Sequence, residues 1–234
     1  MILFAEIPVN NKSAYINVYL RERKGLKRVT MSFSTKERHL VLSVPSKTPQ
    51  KFLHTFIQTH HDWIEQQVQR HGTESKKFTA GTIVLFKGKN YTLVHEVSNK
   101  VLVCCEADTL FVRAAQTRVD THVRRWLMKH VTELCNEFSL KFAKVLGVSI
   151  NKISVKAMHT RWGSCSSDGN LNYNWRLIMA PEEILIYVCA HEVSHLVYMN
   201  HSKEFWGTVK RLHPNFETAR AWLKKNGANL YVFG

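Results

Sequence analysis

Acidic residues are scarce in this sequence of 234 residues, because 18 Asp and Glu stand against 33 Lys and Arg, a formal net charge of +15. Long apolar runs are missing too: the uncharged apolar stretch at 184–190 is far shorter than the roughly 20 residues that cross a bilayer. The first residues show no basic segment followed by a long apolar run, so we expect no secretory signal. These absences predict a protein without a membrane span, and we expect a cytoplasmic location.

Cysteine is present in an odd number and without a pattern. No two of the five cysteines form a Cys-x-x-Cys pair, which argues against a zinc ribbon and against a disulfide framework. Apolar residues make up 44% and aromatic residues 11% of the chain, which excludes wholesale disorder. The composition therefore predicts a folded protein of a reducing compartment. The cysteines are Cys104, Cys105, Cys135, Cys165 and Cys189.

The excess of positive charge has two interpretations. Clustered Lys and Arg attract anions, so the charge is compatible with an anionic partner such as nucleic acid or a nucleotide. A basic protein without such a partner would have the same composition, and charge runs often form solvated faces. The densest basic cluster, the candidate patch for an anionic partner, consists of Arg21, Arg23, Lys24, Lys27 and Arg28.

The pattern of apolar residues changes along the chain. Apolar and polar residues alternate at 29–33 and 40–44, as in a β-hairpin, and Thr48-Pro49 can begin a helix that ends at Gly72. From about Gln116 the apolar spacing becomes helical. We therefore predict an α+β fold, with a β-rich N-terminal domain that contains one helix at 1–115 and a more helical domain with a small sheet at 116–234. The polar stretch at 72–77 is typical of a linker.

The second half carries the elements that surround the chemistry. Residues 150–158 and 171–177 predict two strands, and residues 166–170 are typical of a turn, so we expect the pair to form a β-hairpin. Pro181 followed by two acidic residues is typical of the first turn of a helix, which we expect to run to about Tyr198.

Inside this helix the sequence reads His191-Glu192-Val193-Ser194-His195. Residues four apart lie on one face of a helix, so both imidazoles can bind a single metal ion. Glu192 is rotated from His191 by about 100° and can address a water beside the metal. This arrangement predicts a zinc hydrolase with one zinc ion per chain, in which Glu192 is the general base.

A third ligand is needed, and the sequence offers more than one. His201 lies ten residues after His191, where a returning loop could supply a third imidazole. A glutamate from a later helix is the rival, with Glu204 and Glu217 as the candidates. The spacing equals that of the metzincins, but Tyr198 takes the glycine position and no methionine follows His201, which excludes that class.

Three longer motifs add a resemblance to a known family. They are the runs at 160–166 (TRWGSCS), at 174–181 (NWRLIMAP) and at 200–206 (NHSKEFW), which flank the His-Glu-Val-Ser-His core. In these runs, and more weakly over nearly the whole chain, the sequence resembles the bacterial YgjP family of metal-dependent hydrolases, which is related to the SprT and WLM zinc peptidases. The resemblance implies a zincin-like metallopeptidase domain, zinc ligands at His191, His195 and His201, and a general base at Glu192.

The substrate stays open at this stage. A peptide or protein substrate could add as a strand to an exposed strand at 171–177. Alternatively, a nucleotide could be hydrolysed, with zinc and Arg161 neutralising phosphate oxygens, and the charge of +15 favours this version. Arg161 could also bind a developing oxyanion or only anchor the hairpin to the catalytic helix. A basic nucleic-acid-binding module is a third interpretation, against which the intact Glu192 argues.

Overall fold

The structure is a computed structural model that describes residues 1–9, 14–34, 37–71, 77–158 and 161–233. It divides into two compact units, one formed by Met1–Lys76 with Tyr231–Gly234 and the other by Lys77–Leu230. Within the described ranges, no helix combines the length and the apolar character that a membrane crossing requires. Strands and helices both contribute to each unit, so the fold is α+β, as predicted.

The first unit is a four-stranded sheet followed by two helices. Its elements are β1 (Ile2–Val9), β2 (Ala14–Glu22), β3 (Thr30–Ser34), β4 (His39–Val44), α1 (Gln50–Thr59) and α2 (His61–His71). The strand order is β1-β2-β4-β3, and its core buries Val18, Leu40 and Leu42 completely. The single helix expected here is interrupted because His60, with φ −105° and ψ 17°, leaves the helical conformation between α1 and α2.

The second unit contains two sheets and four α-helices among its described residues. A four-stranded sheet has the order β5-β6-β8-β7, with the same pairing directions as the sheet of the first unit, a repetition that the sequence does not reveal. The elements are β5 (Ile83–Phe86), β6 (Lys89–Val97), β7 (Leu102–Glu106), β8 (Thr109–Ala114), α3 (Val119–Leu146), β9 (Lys152–Lys156), β10 (Gly163–Cys165), β11 (Asn170–Asn174), α4 (Glu182–Ser194), α5 (Lys203–Leu212) and α6 (Phe216–Asn226).

The division into units differs from the domain boundary expected after residue 115. That position lies inside the second unit, because the sheet β5–β8 packs against elements that follow it in the chain. At the turn between β5 and β6, the Lys87 amide donates to the Ile178 carbonyl at 2.7 Å, and the Gly88 amide donates to the Met179 carbonyl at 3.3 Å. The units meet in sequence at Lys76 and Lys77, within the stretch predicted as a linker, of which residues 72–76 lie outside the described ranges.

The small sheet beside α4 has the order β10-β11-β9. Strand β11 is antiparallel to β10 and parallel to β9, so it is the central strand, and β10 has a free edge within the described sheet. The hairpin expected between 150–158 and 171–177 was wrong, because the antiparallel partner of β11 is the intervening strand β10 and β9 pairs in the parallel direction. The strand expected at 171–177 ends at Asn174, where the side chain accepts a hydrogen bond from the Arg176 amide and the chain turns into a 3-10 helix at Trp175–Met179. The strand expected at 171–177 is therefore present only as far as Asn174, and as the central strand it is not the exposed strand of its hairpin.

Helix α4 is largely buried and ends earlier than its sequence pattern suggests. Regular α-helix stops at Ser194 rather than near Tyr198. The residues that follow form turns with hydrogen bonds over three residues, such as that from the His195 amide to the Glu192 carbonyl at 3.2 Å. The first turn of α4 lies against the β5–β6 turn, where Lys87 forms an ion pair with Glu182 at 2.7 Å. The hairpin thus holds the beginning of the helix that carries the histidines.

Gly88 tests this contact. Its φ is +77°, and a Cβ atom there would lie 2.9 Å from the Pro181 Cα atom. We expect Gly88→Ala to lower the free energy of unfolding by about 2–4 kcal/mol, from backbone strain and overpacking together. Gly81→Ala is the matched control, because Gly81 also has φ +80° but a Cβ there would meet nothing within 4 Å, so only about 1–2 kcal/mol of strain is expected. Equal losses in urea unfolding would contradict a role for the Pro181 contact.

Candidate metal centre

His191 of α4, His195 at the C-terminal cap of this helix and His201 of the following loop lie together. His191 and His195 are one helical turn apart with ring centroids 5.0 Å apart, and the His201 ring lies 5.0 Å from His191 and 4.8 Å from His195. One nitrogen from each ring falls within 4.8 Å of the others. The Nε2 atoms of His191 and His201 are 3.1 Å apart, close to the roughly 3.3 Å between two nitrogens of a tetrahedral zinc site. This donor set and its spacing fit a zinc ion.

The environment favours the neutral imidazoles that metal binding requires. Burial, with the neighbouring histidines and Arg220, lowers the pKa of His191 to about 3. Burial also lowers the pKa of His195, although its hydrogen bond to the Tyr198 carbonyl acts in the opposite direction. In that hydrogen bond, His195 Nδ1 donates at 3.0 Å, which leaves Nε2 with its lone pair free for a metal.

Helix α5 packs against the imidazole rings of the three histidines through Phe205. Ser202 caps this helix, since its side chain accepts a hydrogen bond from the Phe205 amide at 3.4 Å. The cap orients Phe205, which is fully buried and whose ring centroid lies 4.5 to 5.0 Å from those of His191, His195 and His201. The motif at 200–206 therefore supplies both the third imidazole and the aromatic ring that packs against all three.

Glu192 lies next to His191 but under the small sheet. Glu192 is only 5% exposed. A Cβ atom on Gly163 of β10 would lie 2.6 Å from the Glu192 Cγ atom and 2.7 Å from the Glu192 Cδ atom. Burial raises the pKa of Glu192 to about 8, and the positive charge of Arg161 acts in the opposite direction. The carboxyl group is thus sheltered from solvent, and its position depends on the absence of a side chain at 163.

A pocket of about 220 Å³ opens beside Glu192 and His191. Arg161, which is exposed, lies at this pocket together with Glu192, so the structure places the predicted substrate-binding residue near the predicted base. The Arg161 carbonyl also accepts a hydrogen bond from the Asn174 side chain at 3.4 Å, so the residue touches the hairpin as well. The remaining lining residues are Trp162, Gly163, Tyr187, Val188, His191 and Leu223.

The rival third ligands lie elsewhere. Glu204 and Glu217 are exposed positions on α5 and α6, and neither belongs to the group of close metal-ligand atoms found among the described residues. His201, although exposed itself, is the candidate that the structure brings to His191 and His195. The geometry favours three imidazoles over two imidazoles and a carboxylate.

The candidate basic patch belongs to the first unit. The five residues that define it are all exposed, in strand β2 and the segment that follows it. Exposure permits contact with an anionic partner but is equally typical of a solvated face. Binding of an anionic partner there stays a prediction.

Sequence reasoning missed several neighbours of the cluster. Gly163 and Phe205 stand inside the quoted motifs, but a motif does not tell which atoms a glycine admits or which rings a phenylalanine supports. Arg220 of α6 carries no sequence signal at all, and yet its charge adds to the lowering of the His191 pKa by burial and opposes the rise that burial causes in the Tyr187 pKa. These residues are recognised only when α4, α5, α6 and β10 are assembled.

Comparison with known proteins gives three results. The family described as YgjP-like, metallopeptidase domain, matches residues 29–226. No curated protein matches the chain at a significant level. Among solved structures, the chain is similar to that of the metallopeptidase zymogen of Pyrococcus abyssi abylysin, with 19% identity, coverage of 38% of this chain and 93% of that chain, and a TM-score of 0.35.

Proposed function

We propose, because this chain belongs to the YgjP-like metallopeptidase family, that it is a zinc-dependent peptide hydrolase with one zinc ion per chain. The observation that carries the proposal is the cluster of three imidazoles directly beside the buried carboxyl group of Glu192. His191, His195 and His201 would hold the zinc ion through ring nitrogens. When bound, zinc supplies a Lewis acid that lowers the pKa of a water molecule and polarises a carbonyl group.

Glu192 carries the proton transfers in this proposal. Its carboxylate takes a proton from the attacking water and later gives it to the leaving amine, so that no other group has to enter the buried site. Burial strengthens the carboxylate as a base, and a neighbouring cation offsets part of that effect. Arg161, at the mouth of the pocket, is placed to bind a substrate anion or the negative charge that develops on the carbonyl oxygen.

The free edge of β10 gives the peptide a place to bind. An extended peptide can pair with the backbone of this strand by strand addition, which requires an unpaired edge. The strand runs from Gly163, against which Glu192 packs, so a peptide on this edge passes the base. We propose β10, rather than the segment at 171–177, as the strand that receives the substrate.

A nucleotide substrate is the second candidate, and the observation that favours it is the position of Arg161. A guanidinium group at the pocket mouth can neutralise phosphate oxygens as well as carboxylates. This version uses the same histidines and the same Glu192, so the two candidates differ only in their products.

A paired assay separates them. We expect the zinc-loaded chain to cleave casein or a mixed peptide library, detected by mass spectrometry, and to release no phosphate or pyrophosphate from a nucleotide panel. Glu192→Gln, which keeps the size of the side chain but removes the base, should lower peptide cleavage by roughly 10²–10⁴-fold. Phosphate release that depends on Glu192, with no peptide product, would overturn the peptidase proposal.

A further inference from the structure

The pocket beside Glu192 has apolar walls and one basic residue. Trp162, Tyr187, Val188 and Leu223 supply the apolar lining, and Arg161 is the lining residue that carries a positive charge. Its volume of about 220 Å³ suits one side chain of moderate size rather than a bulky group. Such walls can contact the methylene groups of a substrate side chain while Arg161 contacts its polar end.

A second guanidinium group lies close by. Arg220 is exposed on α6, one turn before Leu223 of the pocket lining, and its Cζ atom lies 4.8 Å from the centroid of the Trp206 ring. Its charge acts on Tyr187, another lining residue. Among the described residues, neither Arg161 nor Arg220 forms an ion pair with a carboxylate. The charge of Arg161 acts on the Glu192 carboxyl group, and together with the charge of Arg220 it can also attract an anionic ligand that enters this pocket.

A second cavity, which borders His195, has the opposite character. It has a volume of about 480 Å³. Asp168 contributes a carboxylate to its lining, and no Lys or Arg is found among its described lining residues. The other lining residues are Val148, Ser149, Ser166, Ser167, Gly169, Leu196 and Met199. A substrate along β10 thus meets positive charge near Glu192 and negative charge beyond His195.

We infer that the pocket lined by Arg161, with Arg220 nearby on α6, selects a substrate residue that carries a carboxylate next to the scissile bond. This inference rests on the proposed peptidase function and names its substrate class. The carboxylate comes either from an acidic side chain or from the free C-terminus of the peptide, and both present the same oxygens to a guanidinium group. The apolar walls contact the rest of the residue, and Asp168 disfavours an acidic residue on the other side of the site.

Binding to a variant that cannot turn over substrate tests the inference without relying on activity. The probes are alanine-based hexapeptides in which one Glu is moved through the positions, the corresponding Gln peptides, and the same peptides with an amidated C-terminus. Their dissociation constants are measured by calorimetry with zinc-loaded Glu192→Gln. We expect a peptide with a carboxylate at one position to bind roughly tenfold more tightly than its neutral counterpart.

The arginine variants assign that preference to the pocket. We expect Arg161→Gln to remove most of it and Arg220→Gln to reduce it, since each removes one positive charge. Arg211→Gln is the matched control, because Arg211 is an exposed arginine of α5 that does not line the pocket and, unlike Arg220, does not act on the lining residues Tyr187 and His191, while the change in net charge is the same. Loss of the preference on amidation alone identifies the C-terminus as the source of the carboxylate, and loss on Glu-to-Gln exchange identifies the side chain.

The outcomes separate this inference from the proposed function. Equal affinities for charged and neutral peptides, or a preference that survives both arginine changes, would overturn the carboxylate pocket. An arginine-dependent preference supports the pocket, and if the unmodified chain then cleaves none of these peptides, only the peptidase proposal fails. Tighter, Arg161-dependent binding of a nucleoside triphosphate than of any acidic peptide would overturn the carboxylate assignment.

Discussion

His195→Ala is expected to reduce bound zinc from about one ion per chain to less than about a tenth of an ion per chain. The two imidazoles that remain are too few to hold the ion. Glu192→Gln is expected to keep the ion, since Glu192 does not belong to the group of close metal-ligand atoms and we propose it as a base. The metal content of both variants can be measured by plasma mass spectrometry after gel filtration in a zinc-free buffer. Zinc retained in His195→Ala would refute the ligand assignment.

Stability gives the same prediction a second readout. A ligand that binds only the folded chain stabilises it by about 4 kcal/mol when its free concentration is about a thousand times its dissociation constant. We therefore expect a chelator to lower the unfolding temperature of the unmodified chain and to leave that of His195→Ala unchanged. His54→Ala is the control, because His54 is an exposed histidine of the first unit and should respond to the chelator as the unmodified chain does.

Zinc binding by two further variants distinguishes between the candidates for the third ligand. His201 contributes a nitrogen 3.1 Å from that of His191, whereas Glu217 is exposed on α6 outside the cluster. His201→Ala should weaken zinc binding by at least roughly 100-fold, and Glu217→Gln should leave it unchanged. The reverse result would restore the carboxylate alternative that the sequence leaves open.

The sequence predicts those parts of the site that a single helix encodes. The spacing of His191 and His195 places them on one helical face whatever surrounds the helix, and the structure has His191 in α4 and His195 at the cap that ends it. The end of that helix is less predictable, because it depends on where its last carbonyl groups find partners. Here His195 turns its Nδ1 to the Tyr198 carbonyl, so the residues expected as a fourth turn form a loop that leads to His201.

Features that depend on contacts between distant segments cannot be predicted from the spacing of apolar residues. Alternation predicts a strand near Asn170–Asn174, but nothing in it tells that β9 and β10 cover both edges of this strand. The change from strand to helix periodicity near residue 115 likewise suggests a domain boundary, whereas the packing of the Lys87 turn on Ile178 joins both sides of that position into one unit. Periodicity reports local structure, and burial of a sheet face against later elements decides the unit.

Gly163→Ala is expected to lower hydrolysis by roughly 10²–10⁴-fold while the zinc content stays unchanged. The added methyl group would lie 2.6 Å from the Cγ atom and 2.7 Å from the Cδ atom of Glu192, well inside the van der Waals distance. Gly163 does not have a positive φ, so alanine fits its backbone, and the clash with the Glu192 side chain is the effect of the substitution. Steady-state kinetics together with the metal content measure both parts of this result.

The expected loss of hydrolysis in Gly163→Ala depends on which group is displaced by the added methyl group. β10 is held to β11 by backbone pairing of Gly163 with Tyr173, and α4 is buried along most of its length, so the Glu192 side chain is the group that gives way. A shift of about 1 Å removes the carboxylate from its productive position and costs about as much as removing a general base. His191 and His195 face another side of α4, which is why the ion should remain.

Gly207→Ala is the matched control for this substitution. Gly207 lies in α5, near the same cluster, but a Cβ atom there would meet nothing within 4 Å, so alanine should leave hydrolysis unchanged and stabilise the helix by up to about 1 kcal/mol. Hydrolysis within threefold of the unmodified chain in Gly163→Ala would contradict the position of Glu192 as the base. Loss of activity together with loss of zinc would instead mean that the methyl group distorts α4, and the glycine would then serve the ligands rather than the base.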